Sequence, residues 1–281
     1  MDKKYELVKE DSIEFNGRTL FRIRALKPIH FSNGGNIKAG DLGGYIQSEE
    51  NLSQDGNCWV SGKAMVMENA KVKDNARVSF YARVQGNAIL QDNAKALHHS
   101  IVYDNAIIKD NAIVSSDGVV KGNAVISDFV QVKSGLVCDN AKVCDNAVIS
   151  TNNYVRGNAL VRGNTKITGN ATATDDVVLD GNVVVTGSSV VGGNAYINGD
   201  IVISRRCHIW SEETILYNNE TPMSLSSTDN YCCNKIDDIW VTFFKVENSI
   251  YYCIPKGVSI PNDETMEKIK KVQMEINNNI Y

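Results

Sequence analysis

The chain has 281 residues, 43% hydrophobic and 22% charged, with a net charge of -4. That composition supports a large core and gives no global attraction for nucleic acid or an anionic membrane. The opening Met1-Asp2-Lys3-Lys4-Tyr5-Glu6 lacks a leader's apolar stretch, no apolar run is long enough to span a bilayer, and seven cysteines without a CxxC pair read as reduced thiols of a cytoplasmic protein.

Residues 1–44 are expected to form an N-terminal cap. Ser12-Ile13-Glu14-Phe15 and Arg18-Thr19-Leu20-Phe21-Arg22-Ile23-Arg24 flank Asn16-Gly17, a strong hairpin signal. The segment ends in Gly40-Asp41-Leu42-Gly43-Gly44-Tyr45-Ile46, which leads into the repeat.

Residues 45–210 restate one phrase about every six residues: a small residue, a free position, an aliphatic, a free position, then Gly-Asn or Asp-Asn. Ala70-Lys71-Val72-Lys73-Asp74-Asn75 is a clear copy. The aliphatic column runs Val60, Val66, Val72, Val78, Val84, Leu90 and onward, slips by one residue near Ser134, and resumes at Val137. Two residues before each aliphatic lies the small one, as at Ala64, Ala70 and Ala76. Period-two alternation over so short a span is a short strand with both residues inside. A unit this small cannot bury its own side chains, so it must stack on copies of itself. Three strands and three sharp turns close a triangle of about 18 residues, giving roughly eight to nine coils. The Asn or Gly of each pair is expected to supply the left-handed backbone of the turn. Cys138 and Cys144 occupy matching positions of successive repeats but on different sides, so no metal site is expected there.

After Trp210 the period is lost, and 211–281 read as a separate tail. Asn218 to Asn230 is polar and reads as a linker. Ile239–Val246 and Ile250–Ile254 form an expected hairpin around Glu247-Asn248-Ser249. Pro261-Asn262-Asp263 then opens a helix with Met266, Ile269, Val272 or Gln273, and Ile276 on one face. Such a tail either caps the last coil or packs against neighbouring chains.

The repeat resembles the hexapeptide-repeat left-handed β-helix family over a little over half of the chain. The phrase Gly-Asn-Ala-x-Val, with Gly56-Asn57-Cys58-Trp59-Val60 at the start, looks most like the YdcK-like proteins of bacteria and phages. The resemblance implies an all-β, left-handed parallel β-helix and a homotrimer with clefts between parallel prisms.

Sorting the turn residues by corner isolates one edge. Two corners are nearly regular Asn columns: Asn57, Asn75, Asn93, Asn111, and Asn69, Asn87, Asn105, Asn123. The third reads Lys63, Tyr81, His99, Asp117, Ser134, preceded by Gly62, Phe80, His98, Ser116, Lys133. Stacking Phe80-Tyr81 over His98-His99 over Ser116-Asp117 would place aromatic, imidazole and carboxylate groups within about 5 to 10 Å. Lys63, Phe80, Tyr81, His98, His99, Ser116, Asp117 and Lys133 are therefore the candidate ligand-binding residues, set against simple drift of exposed turns. Two outward columns, Met65-Arg83-Ile101-Val119-Leu136 and Lys71-Ile89-Ile107-Val125-Lys142, are more apolar than solvated faces should be.

Two functions compete. The first is a non-catalytic binding or scaffold protein with an inter-subunit groove along this corner for a small molecule or a protein partner. It needs no cofactor and involves neither nucleic acid nor membrane. The alternative implied by the resemblance is an acyltransferase using acetyl-CoA or another acyl-CoA, with His98 or His99 as general base beside Asp117. The long acceptor-walling loop of such enzymes is missing from the repeat, and a regular Thr ladder of the ice-binding kind is absent too.

Overall fold

The computed structural model describes residues 3–31, 35–211, 215–225, 231–236, 239–246, 249–253 and 262–278. It is an all-β parallel solenoid of about nine turns with one C-terminal helix. The chain divides into two units, Met1–Thr151 and Asn152–Tyr281.

In the first unit the regular coil side is a two-residue strand, such as Lys71–Val72 or Arg77–Val78. Each strand pairs in parallel with the strand one coil on, Lys71 with Ile89 and Arg77 with Lys95. Both inward columns are sealed: Ala64, Ala70, Ala76, Val66, Val72 and Val78 are all within 1% of complete burial. Each buried Val stabilises the prism by about 1.5–3 kcal/mol. Alanine at the neighbouring column keeps the three walls close enough to fill without voids.

The turns differ from the expectation in one respect. At the two Asn corners, the left-handed residue is not the Asn but the Gly, Asp or Glu before it, as at Asp74 (φ 58°), Gly86 (φ 69°) and Asp92 (φ 57°). The Asn instead forms a side-chain ladder: the Nδ2 of Asn57 donates to Asn75, Asn75 to Asn93, and Asn93 to Asn111, each at 3.3 Å. The left-handed Asp also earns its place. Its carboxylate accepts the N–H of the left-handed residue one coil on, Asp92 to Asp74 at 3.2 Å and Asp110 to Asp92 at 3.2 Å.

The phase slip falls at one corner. Strands Ile113–Val120 and Gln131–Val137 run straight through it, with Val114 opposite Val132 but Asp117 opposite Ser134. One residue is missing from the later coil at that point, so Lys133 alone faces Ser115-Ser116.

The front of the solenoid is covered by β1 (Tyr5–Phe15) and β2 (Arg18–Ala25), an antiparallel hairpin turning at Asn16-Gly17 with positive φ at both residues. β3 (Leu42–Ile46) pairs antiparallel with β2 and parallel with Met65–Val66, joining hairpin to coil. Close approach explains its glycines: a Cβ at Gly44 would lie 2.6 Å from the Ala64 carbonyl oxygen. Side chains complete the seal of an otherwise open sheet end. The buried Lys4 ammonium donates to the carbonyls of Asp55 (3.2 Å), Gly56 (3.3 Å) and Cys58 (3.1 Å) and lies 3.2 Å from the Cys58 thiol. The Tyr5 hydroxyl donates to Leu52 at 2.6 Å. Burial lowers the Lys4 pKa, against the opposing pull of Cys58, and raises that of the Cys58 thiol.

Part of one apolar outward column is also covered by this hairpin. Ile13, Phe15 and Met65 pack beside the Leu20-Tyr45-Met67 cluster, and the Arg83 guanidinium lies 5.5 Å from the Phe15 ring. Ile101, Val119 and Leu136 further along stay half-exposed.

The second unit is built of the same kind of coil, with Tyr154 opposite Thr172 and Leu160 opposite Val178. The linker expected from Asn218 is corrected: Ile215–Leu225 is a strand, parallel to Tyr196–Ile203. Its register jumps between Gly199 and Ile201, where the four residues 219–222 stand opposite Asp200 alone, and those three extra residues hide the period. Residues 226–230 lie outside the described set. The expected hairpin is part of a three-stranded antiparallel sheet, Tyr231–Ile236, Ile239–Val246 and Ser249–Cys253. This sheet contacts Ile215–Leu225, the last solenoid strand of its unit. The helix α1 (Asp263–Asn278) begins where Asn262 Oδ1 accepts the Thr265 N–H at 2.8 Å, and it buries Thr265 and Ile269 against the sheet. The side chain of Ile276 lies outside the described residues.

Candidate functional site

The divergent corner lies wholly in the first unit, and its columns are lines in space. The N–H of Lys63 donates to Phe80 (2.8 Å), that of Tyr81 to His98 (2.9 Å), and that of His99 to Ser116 (2.9 Å). Each rung is thereby fixed one coil from the next, with no freedom to slide.

On this frame the side chains form two parallel ring stacks. The Phe80 and His98 rings lie 4.8 Å apart at 9°, and the Tyr81 and His99 rings 5.0 Å apart at 9°. The Lys63 ammonium sits 5.8 Å from the Tyr81 ring centre, so the second stack begins with a cation over an aromatic face. Asp117 is one coil beyond His99 and exposed, so the Tyr81–His99 stack runs from a positive to a negative end. Phe80 is 53% and Tyr81 49% exposed, far more than aromatic rings kept for packing.

The backbone under the first stack is strained. Phe80 (φ 64°), His98 (φ 59°) and Ser116 (φ 55°) all occupy the left-handed region. Among the described residues this corner lacks the carboxylate-to-N–H bonds that accompany left-handed Asp at the other two. The left-handed column is interrupted at Lys133, opposite the missing residue, and resumes at Thr151 (φ 63°). Lys133 is exposed and stands one coil on from Ser115-Ser116, beyond the ring stacks. Behind the turn, Ser100 replaces the inward Ala of the preceding coils. It is fully buried and its hydroxyl has no hydrogen-bond partner.

The energies decide what this arrangement is for. A non-Gly residue in the left-handed region costs on the order of 1–3 kcal/mol, and a ring pair returns about 0.5–1.5 kcal/mol. The stacks at most offset the strain, so the fold gains nothing from Phe80 and His98 that Gly or Asp would not provide. As a catalytic centre the corner is poorly organised. Neither imidazole hydrogen-bonds to Asp117 or to any other carboxylate among the described residues, so nothing fixes a tautomer or orients a base.

Sequence periodicity missed a second concave feature. Residues Ile29 and Ile37 exchange two backbone hydrogen bonds at 3.0 Å, which fold His30 and Phe31 back over the first unit's Trp59-Arg77-Lys95 face. The cleft they leave is about 300 Å³, lined by His30, Phe31, Asn57, Asn75, Arg77, Asn93, Lys95 and Asn111. His30 and Phe31 lie outside the repeat, so no column could reveal it.

Asp128, Asp145 and Cys144 bring potential metal-ligating atoms within 4.8 Å of one another. Asp128 already accepts the Asp145 N–H at 3.2 Å and the Ser127 hydroxyl at 2.8 Å, as a rung of the corner's Asp ladder. Among the described residues, no helix is long and apolar enough to cross a membrane. Neither a protein-family model nor a curated protein matches this chain.

Proposed function

We propose that the protein is a non-catalytic binding scaffold of the hexapeptide-repeat, YdcK-like kind, with left-handed coils, assembled as a homotrimer. The Phe80–His99 corner of one copy meets the wall of the next, and the groove between them takes a small molecule with a planar ring. The observation that carries this reading is the pair of exposed ring stacks, one of them, Phe80–His98, on a left-handed backbone whose strain it at most offsets. Exposed, parallel aromatic rings offer their edges and the end face of the stack to a planar ligand. The neighbouring half-exposed Ile101, Val119 and Leu136 supply apolar area for a subunit contact.

The acyltransferase alternative requires an oriented imidazole, and both imidazoles here are engaged through their faces rather than through a carboxylate. Native mass spectrometry of freshly purified protein tests the proposal. A trimer mass, with or without a carried small molecule, that falls to monomer in the Tyr81→Ala/His99→Ala double variant is the expected result. Acyl transfer from acetyl-CoA lost in His98→Ala or His99→Ala would overturn the non-catalytic reading. A wild-type monomer would overturn the groove.

A further inference from the structure

The cleft under His30 and Phe31 is built almost entirely from hydrogen-bond donors. Arg77 and Lys95 stand on adjacent coils of one face, paired Cα to Cα, and so are about 4.8 Å apart along the stack. Among the described residues neither makes an ion pair or a side-chain hydrogen bond. Among those residues the partner of Arg77 is the Phe31 ring, whose centre lies 3.5 Å from the guanidinium carbon. That stacking leaves the guanidinium edge, with its five N–H donors, unspent. Partial burial lowers the Arg77 pKa, the expected response of a charge placed away from water without a counter-ion.

The cleft's other wall is the Asn ladder. Each amide of Asn57, Asn75 and Asn93 spends one N–H on the next rung and keeps a second. The ladder ends at Asn111, because Phe129 occupies the next position of the column, so both Asn111 amide hydrogens are unspent among the described residues. Among the described residues no carboxylate lines the cleft. Asp74, Asp92 and Asp110, at the adjoining turns, each accept the backbone N–H one coil on, at 3.2, 3.2 and 3.3 Å.

We infer that this cleft is a binding site for a small phosphorylated molecule, with its phosphate held between Arg77, Lys95 and the end of the Asn ladder. Two uncompensated cations match the charge of a phosphate monoester, which carries about -1.5 to -2 near neutral pH. Three terminal oxygens can accept from the guanidinium edge, the ammonium and the Asn111 amide together, where a carboxylate has two oxygens and one charge. The volume, about 300 Å³, admits a compact ligand of sugar-phosphate size. His30, exposed at the rim, lies where the rest of such a ligand would leave the cleft.

Isothermal titration calorimetry with ribose 5-phosphate tests this, with ribose and succinate as comparators. Saturable binding of ribose 5-phosphate, with none for ribose, is expected. Arg77→Gln and Lys95→Gln should each weaken it at least about tenfold, the loss of one charged hydrogen bond. His99→Ala, on the other corner, should leave it unchanged, which separates this site from the ring stacks. Lys95→Gln lies away from Phe31 and decides the matter if Arg77→Gln fails to fold. No saturable binding, equal binding of succinate, or unchanged affinity in the folded variants would each overturn the assignment.

Discussion

The Asn corners and the Phe80–His99 corner close the same turn with different chemistry. At the Asn corners, every departure from ideal backbone is compensated locally: left-handed Asp74 and Asp92 accept an N–H, and the following Asn joins a ladder. At the third corner the same backbone carries Phe80 and His98, and the compensation is ring stacking that faces solvent. One solution maximises the stability of the coil. The other leaves it about even while displaying flat aromatic surface, and that contrast is the physical ground for reading the corner as a binding edge.

The largest expected effect tests the frame common to both. Val72 is 1% exposed inside the prism, and Val72→Asp puts an unpaired charge there. Loss of the cooperative unfolding transition in circular dichroism is expected, and a wild-type melt would mean that the inward column is misassigned. Next comes the cap. Lys4→Met strips the buried Cys58 carbonyl and the partly buried bonds to Asp55 and Gly56 of their donor and should cost about 2 kcal/mol in urea denaturation.

Smaller effects separate the two kinds of corner by sign. Asn93→Ala removes one rung bond on each side and should destabilise by about 1 kcal/mol. His98→Asn gives the left-handed position a residue that tolerates it and should stabilise by about 0.5–1 kcal/mol. Ser100→Ala removes a buried hydroxyl without a partner and should stabilise by about 1 kcal/mol. Equal and same-signed shifts at the two kinds of corner would erase the distinction between them.

The cap also sets a pH dependence that the corners do not share. Burial holds the Tyr5 phenol above its ordinary value of 10.0 and the Cys58 thiol above 9.0. The folded state therefore keeps protons that the unfolded chain gives up, so this stability is complete below about pH 9 and is lost as pH rises beyond it. Lys4, lowered from 10.5, acts oppositely just below that value, where the unfolded chain holds the extra proton. Tyr5→Phe should flatten the decline in melting temperature above about pH 10.

Much of this was legible in the sequence because a strict period converts numbers into positions. Val66, Val72 and Ala70 could be placed inside, and Tyr81 beside His99, without coordinates. The Asn16-Gly17 hairpin carries its own local signal. What escaped has no period. Which member of an Asp-Asn pair turns left-handed depends on where the carboxylate finds an N–H one coil away, a tertiary matter. Lys4 and Tyr5 seal carbonyls some fifty residues distant, and His30-Phe31 reach a face that the repeat builds later. The strand Ile215–Leu225 was hidden by its polar composition and by the insertion at 219–222.

Native mass spectrometry of His98→Asn, run beside its thermal melt, addresses the central claim most directly. The variant should melt above wild type and yet fail to assemble, because the residue that strains the turn is the one that forms the contact. A variant that melts higher and still gives the wild-type assembly would show that the ring stacks are a tolerated irregularity of an exposed turn.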